Sequence, residues 1–105
     1  MSVPFSRVRE SYNRLRQSRV RYIAAHARLL LGDQERAQRK FREAQKELGR
    51  AFDAGLELLS GATARLVREQ ADEPAALEQV LGQELLHQAR RSKKQLVRVL
   101  RRMKA

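Results

Sequence analysis

A chain of 105 residues is long enough for one hydrophobic core but not for two, so we expect a single domain over residues 1–105. The 23 Lys and Arg residues against 12 Asp and Glu give a formal net charge of +11, which favours an anionic partner. The absence of cysteine excludes disulfide scaffolds, thiolate metal sites and cysteine nucleophiles. The chain shows neither a signal peptide nor an apolar run of membrane-spanning length, so we expect a soluble, cytoplasmic protein.

The first predicted helix covers residues 4–31. Pro4 is tolerated in the first turn, because the N–H that proline lacks would have no intrahelical partner there. Gly32 is typical of a helix C-terminus, and Asp33 is a good N-cap for a following helix. The sequence therefore predicts a tight helical hairpin at this point.

The second predicted helix covers residues 34–71, where apolar side chains alternate in steps of three and four. An unbroken helix of this length would reach about 57 Å at 1.5 Å per residue, longer than either neighbour. Glycine is unfavourable inside a helix, so Ser60-Gly61 is the best place for a break. The sequence allows either one unbroken helix or two shorter helices over this segment.

The third predicted helix starts at Asp72-Glu73-Pro74, which combines an acidic N-terminus with a helix-starting proline. We therefore predict an all-α fold, an antiparallel bundle of three long helices, or four if the second breaks near Ser60-Gly61. The predicted core follows the apolar faces and consists of Leu15, Ile23, Leu30, Phe41, Leu48, Leu59, Leu66, Leu81 and Leu96.

The charges are distributed unevenly along the chain. Residues 1–50 have a net charge of +8, residues 51–89 of −5 and residues 90–105 of +8. If consecutive helices are antiparallel, residues 36–50 lie beside residues 90–104. The sequence then predicts that one pole of the bundle is strongly basic.

Two groups of basic residues are candidates for binding a polyanion. In the first helix an arginine recurs every seven residues from Arg7 to Arg28 and forms a nearly straight stripe, which Arg9, Arg16 and Arg19 widen. The stripe fits a phosphate backbone, and a solvated helix face explains it equally well. The C-terminal run is the stronger signal, because its eight cations have no acid among them. The candidate nucleic-acid-binding residues are Arg90, Arg91, Lys93, Lys94, Arg98, Arg101, Arg102, Arg14, Arg21, Arg28, Arg36, Arg39 and Lys40.

No pattern in the sequence predicts catalysis. His26 and His87 are far apart, so we expect neither a metal site nor a catalytic pair, and each is predicted to lie at the edge of the bundle. Glycine loops for phosphates and serine-nucleophile signatures are missing, so we expect no enzymatic activity and no cofactor. The five aromatic residues follow apolar helix faces and are predicted to be core, which argues against a surface for stacking single-stranded bases.

These patterns favour a non-enzymatic helical subunit that contacts the phosphate backbone of DNA or RNA with little sequence specificity, as an accessory subunit of a ribonucleoprotein or DNA-binding assembly. The alternative is a helical adaptor or chaperone that docks partner helices or an acidic protein, which the heptad-like second segment favours. The sequence also allows a homodimer. Peripheral membrane binding by the C-terminal helix ranks last, because its apolar residues are also needed to close the bundle.

Overall fold

The computed structural model of the chain describes residues 3–32, 34–90 and 93–104, and of residues 93–96 and 104 the backbone alone. The described part of the chain is helical and contains no strand, so the predicted all-α fold is confirmed. Its five helices are α1 (Phe5–Leu31), α2 (Gln34–Leu56), α3 (Gly61–Arg68), α4 (Glu73–Ala89) and α5 (Lys93–Lys104).

The second predicted segment is broken where the sequence suggested. The first of its two helices, α2, ends at Leu56, and α3 starts at Gly61. Ser60 is the N-cap of α3, and its Oγ accepts a hydrogen bond from the backbone N–H of Thr63 at 3.3 Å. Such a bond satisfies one of the N–H groups that have no partner at a helix start, so a new helix begins here.

The third predicted segment is also divided. Asp72 caps α4, since its Oδ1 accepts a hydrogen bond from the N–H of Ala75 at 3.2 Å, and Pro74 lies in the first turn. This start agrees with the sequence prediction. The break between Ala89 and Lys93, which separates α4 from α5, was not predicted.

The first two helices form the predicted hairpin. Ser11, in the first half of α1, lies beside Gly55 at the end of α2, where a Cβ on the glycine would be 3.0 Å from the Ser11 Oγ. Further toward the hairpin turn, the rings of Tyr22 and Phe41 are 5.2 Å apart between centroids. The two helices are therefore antiparallel along their length.

The fourth helix is antiparallel to α1 as well. Arg19 contacts Glu78 at 2.6 Å, and Gln88 Nε2 donates a hydrogen bond to the carbonyl of Val3 at 3.0 Å. The bundle of three long helices is thus formed by α1, α2 and α4, with α1 antiparallel to both neighbours. The long helices α2 and α4 run parallel. This is possible because the chain turns at Ser60, and the stretch that contains α3 leads it from the end of α2 back to the start of α4.

Among the described residues, the hydrophobic core lies between α1, α2 and α4, with one residue each from α3 and α5. Removing each of its five largest fully buried side chains from water stabilises the fold by about 1.5–3 kcal/mol. They are Val8, Leu15, Val67, Leu77 and Leu81. The rest of the core consists of Tyr12, Leu48, Ala51, Leu56, Leu85, Ala89 and Val99.

The predicted core is confirmed in part. Leu15, Leu48 and Leu81 are buried, whereas Phe41 and Leu59 are half-buried. Three predicted core residues are exposed and were therefore assigned wrongly: Ile23 at 55 %, Leu30 at 74 % and Leu66 at 60 %. The side chain of Leu96 lies outside the described residues.

The exposure of Ile23 and Leu30 has a structural cause. Ile23, Gln45 and Pro74 line one cavity, so the start of α4 is level with Ile23. From this level to its turn, the hairpin consists of α1 and α2 alone among the described elements. We call its residues 23–32 and 34–45 the arm. The arm contributes to the elongated shape of the molecule, which measures 50 × 30 × 19 Å. Leu66 is exposed for a different reason, since α3 is short and directs Val67 into the core instead.

Among the described residues, none of the helices combines the length and the apolar character needed to cross a lipid bilayer.

Candidate nucleic-acid interface

The C-terminal helix folds back along α4. Val99 is 4 % exposed and belongs to the core, and a Cβ on Gly82 of α4 would lie 3.5 Å from the Met103 Cε. On its other side α5 comes close to α1, where Arg16 Nη1 donates a hydrogen bond to the carbonyl of Arg102 at 3.3 Å. The helix α5 is therefore antiparallel to α4 and lies beside the first half of α1.

This position differs from the predicted basic pole. The prediction brought residues 36–50 and 90–104 together, whereas the structure sets residues 98–103 beside the first half of α1. The start of α2 instead packs in the arm, where Phe41 contacts Tyr22. The break at Ser60 and the break after Ala89 each reverse the chain direction, so the two basic regions end up on different parts of the bundle. The prediction of a single basic pole is therefore wrong.

The structure creates a different concentration of positive charge. Four arginines from α1 and α5 line the gap between the two helices, and Arg16 contacts α5 beside it. We call this part of the surface the α1–α5 basic face, and its members are Arg9, Arg16, Arg98, Arg101 and Arg102. Like charges gathered in this way repel one another, so an anion that binds between them lowers the electrostatic energy of the face.

A cavity of about 310 Å³ occupies the gap between α1 and α5. Its apolar surface comes from Phe5, Tyr12, Leu85, Val99 and Met103, and Asn13 also contributes to its lining. Arg9, Arg98, Arg101 and Arg102 complete the lining, and the Arg9 guanidinium lies 5.9 Å from the centre of the Phe5 ring. Among the described residues, no carboxylate lines this cavity, whereas each of four other cavities includes at least one.

The two ion pairs among the described residues do not include any arginine of this face. Arg19 is held by Glu78 of α4, and the hydrogen bond to this carboxylate raises the pKa of Arg19 above its ordinary value. Arg50 pairs with Glu47 on the exposed surface of α2, at 3.1 Å. None of the arginines of the α1–α5 basic face has a described carboxylate within ion-pair distance. Their charge is therefore available to a ligand.

The structure separates the residues predicted to bind nucleic acid. Arg98, Arg101 and Arg102 are on the α1–α5 basic face. Arg90 is exposed at the C-terminus of α4. Arg91 and the side chains of Lys93 and Lys94 lie outside the described residues.

The predicted residues of α1 and α2 lie elsewhere. Arg21, Arg28 and Lys40 line a groove along the arm together with Glu43 and Glu47, which lower the positive potential there. Arg14 lies closer to the start of α1, where it lines a separate groove with Arg7 and Glu10. Arg36 and Arg39 are exposed in the first turns of α2. The arginines that recur every seven residues in α1 therefore follow the contact with α2. Arg9 and Arg16, which widen this stripe, belong to the α1–α5 basic face.

Sequence reasoning missed the apolar part of the site. Phe5 and Tyr12 were predicted to be core, and Asn13 had no assigned role. Tyr12 is largely buried, and Phe5 and Asn13 are half-buried, yet all three line the cavity. Arg9 and Arg16 are seven residues apart on one face of α1, a signal that the sequence does contain.

The two histidines occupy unrelated positions. The His26 ring lies 5.5 Å from that of Phe41 and 6.4 Å from that of Tyr22, at the edge of the arm. His87 is exposed on α4. Over residues 3–32, 34–90 and 93–104, His, Asp and Glu side chains form no group of three that could hold a metal ion.

No protein-family model, curated protein or solved structure matches this chain.

Proposed function

We propose that the protein is a non-enzymatic nucleic-acid-binding subunit that holds the phosphate backbone on the α1–α5 basic face with little sequence specificity. The observation that carries this proposal is the carboxylate-free lining of the gap between α1 and α5, to which four arginines contribute. A guanidinium group presents planar N–H donors that match two phosphate oxygens at once. A subunit of this kind would act within a larger ribonucleoprotein or DNA-binding assembly.

The number of arginines on the face sets the expected salt dependence of nucleic-acid binding. Each neutralised phosphate on duplex DNA releases counterions and contributes about −0.9 to the slope of log K against log salt. The five arginines of the face therefore give a slope of up to about −4.5. Contacts with phosphates carry no sequence information, so affinity should vary little between sequences.

Titration of a fluorescently labelled DNA duplex across a salt series, read by anisotropy, tests the proposal. The variant Arg98→Gln, Arg101→Gln, Arg102→Gln should bind all sequences more weakly and flatten the salt slope by up to about three units. The matched control Arg36→Gln, Arg39→Gln, Lys40→Gln removes the same charge from exposed positions on α2. It should change the slope by less than about one unit. Equal effects of the two triple variants, or no binding by the wild type at low salt, would contradict the proposal.

A second function, the docking of a partner helix, is favoured by a separate observation on α1. Between positions 20 and 31 one exposed side of α1 is apolar, and its large side chains Val20, Ile23, Leu30 and Leu31 are 55 % to 86 % exposed. Ala24 and Ala27 fall on the same face and are exposed too. We call these six residues the apolar stripe. An exposed stripe of this kind is typical of a surface that packs against another helix.

The charges beside the apolar stripe indicate the character of that partner. Arg28 follows Ala24 by four residues and precedes Leu31 by three, so it lies next to the stripe. The α1 sequence has no Asp or Glu after Glu10. A second copy of the chain would bring its own arginines to this edge, whereas glutamates on a partner would neutralise them. The occupant that fits is an amphipathic helix with an acidic flank.

Two synthetic amphipathic peptides with the same leucine face, flanked by either glutamate or lysine, test this docking function. The protein should bind the glutamate peptide more tightly, and Leu30→Glu should remove this binding. Leu66→Glu is the control, because Leu66 is similarly exposed on α3, outside the arm. Equal binding of both peptides, or of neither, would contradict the assignment. Dimerisation that light scattering detects and Leu30→Glu abolishes would show that a second copy covers the stripe.

A further inference from the structure

The cavity between α1 and α5 has a composition that phosphate binding alone does not require. Phosphates bind to exposed cations, whereas here two aromatic rings and three aliphatic side chains line the space between the arginines. Its volume of about 310 Å³ is at the lower end of the range found for small-molecule sites, about 300–1,000 Å³. A space of this size accommodates a single ring system.

We propose that this cavity takes one unpaired nucleobase of a bound strand, whose flanking phosphates lie on Arg9, Arg98, Arg101 and Arg102. The inference rests on the proposed function and specifies its ligand as single-stranded nucleic acid or an unpaired loop. A base inside a duplex is stacked and paired, so its faces are not free to enter.

The aromatic side of the cavity supplies the stacking surface. The Phe5 ring is half-buried and carries the Arg9 guanidinium 5.9 Å from its centre, and Tyr12 lies one helical turn beyond Arg9. Bases stack on aromatic rings and on guanidinium planes, and such stacking tolerates every base. The cavity therefore adds affinity for a base without adding sequence preference, in agreement with the proposed function.

The arrangement of charge favours a nucleotide over a lipid. The arginines come from both helices that enclose the cavity, Arg9 from α1 and Arg98, Arg101 and Arg102 from α5. A base within a strand has a phosphate on each side, so both groups of arginines find a partner. An anionic lipid has its charge at one end of the apolar part, and it would leave one side without an anion.

Two labelled strands of equal length and charge, oligothymidine and an abasic strand with the same number of phosphates, separate the base from the backbone. The wild-type protein should bind oligothymidine about tenfold more tightly, in line with the effect of one stacked base. Phe5→Ala removes the aromatic surface, and Asn13→Leu fills part of the cavity without removing a core residue. Both variants should bind the two strands alike. Phe52→Ala is the control, because Phe52 is a half-buried aromatic residue of α2 that lines a different cavity, and it should keep the preference.

The outcomes distinguish the cavity from the basic face. Equal affinity of the wild type for the two strands overturns the cavity assignment and leaves the proposed function intact. Absence of binding to both strands overturns the proposed function itself. A preference for oligothymidine that survives in Phe5→Ala and Asn13→Leu shows that the base binds elsewhere. If phosphatidylglycerol vesicles bind in a Phe5-dependent manner while the two strands bind alike, the cavity serves an acyl chain and the base assignment is wrong.

Discussion

Arg19 and Glu78 form the ion pair that joins α1 to α4, with 2.6 Å between Nε and Oε2. Both side chains are partly withdrawn from solvent, at 31 % and 13 % exposure. The pair lies near the level at which α4 begins, where the core of the bundle gives way to the arm. It therefore holds the first half of α4 against α1.

Replacing Arg19 by methionine should reduce the free energy of unfolding by about 1–2 kcal/mol, since it leaves the mostly buried Glu78 carboxylate without its charged donor. Urea denaturation followed by circular dichroism measures this loss. The matched control is Arg50→Met, which breaks the exposed pair with Glu47 and should cost less than about 0.5 kcal/mol. Equal losses in both variants would show that the Arg19–Glu78 pair has no structural role.

The glycines of α2 should respond in opposite directions to substitution. A side chain at Gly55 would meet the Ser11 Oγ at 3.0 Å and the buried Leu77 Cδ2 at 3.1 Å, so Gly55→Val should destabilise the fold by about 1–3 kcal/mol. Gly49 is exposed and has no such neighbour within 4 Å. Gly49→Ala should stabilise the fold by about 0.5–1 kcal/mol through helix propensity. Thermal unfolding of the two variants measures both changes in stability. A Gly55→Val protein as stable as the wild type would contradict the close contact of α1, α2 and α4.

The exposed leucines of the arm should contribute little to stability. Leu30 is 74 % exposed and Leu31 86 %, so replacing both by glutamine should change the free energy of unfolding by less than about 0.5 kcal/mol. Leu15→Ala, in the enclosed core, should cost about 2–5 kcal/mol. A large loss in the glutamine variant, measured by urea denaturation at several protein concentrations, would show that the arm is covered in solution.

The sequence predicted the helices better than their arrangement. Local signals are sufficient at Ser60 and Asp72, because a capping side chain acts on an N–H group only three residues away. The break after Ala89 has no comparable signal, since neither glycine nor proline follows it in the sequence Arg90-Arg91-Ser92. The predicted third helix therefore continued to the end, and α5 was placed at the wrong end of α1.

The apolar periodicity of α1 predicted that one face of the helix is buried, but not how far along the helix the burial extends. Leu15 and Leu30 lie on the same face by spacing, yet only Leu15 is covered, because α4 begins level with Ile23. How far a neighbouring helix extends is a property of the tertiary structure. The candidate site shows the same limit, since Arg9 and Arg98 come together only through the reversal of α5.

Arginine modification in the wild-type protein tests the central claim, that nucleic acid binds the α1–α5 basic face, most directly. Phenylglyoxal labelling with and without a saturating DNA strand, read at each arginine by mass spectrometry, reports which guanidinium groups are covered. Arg9, Arg98, Arg101 and Arg102 should lose most of their labelling when DNA is bound, while Arg36 and Arg39 of the arm should keep theirs. Protection of the arm arginines alone, or equal labelling of all arginines with and without DNA, would contradict the account.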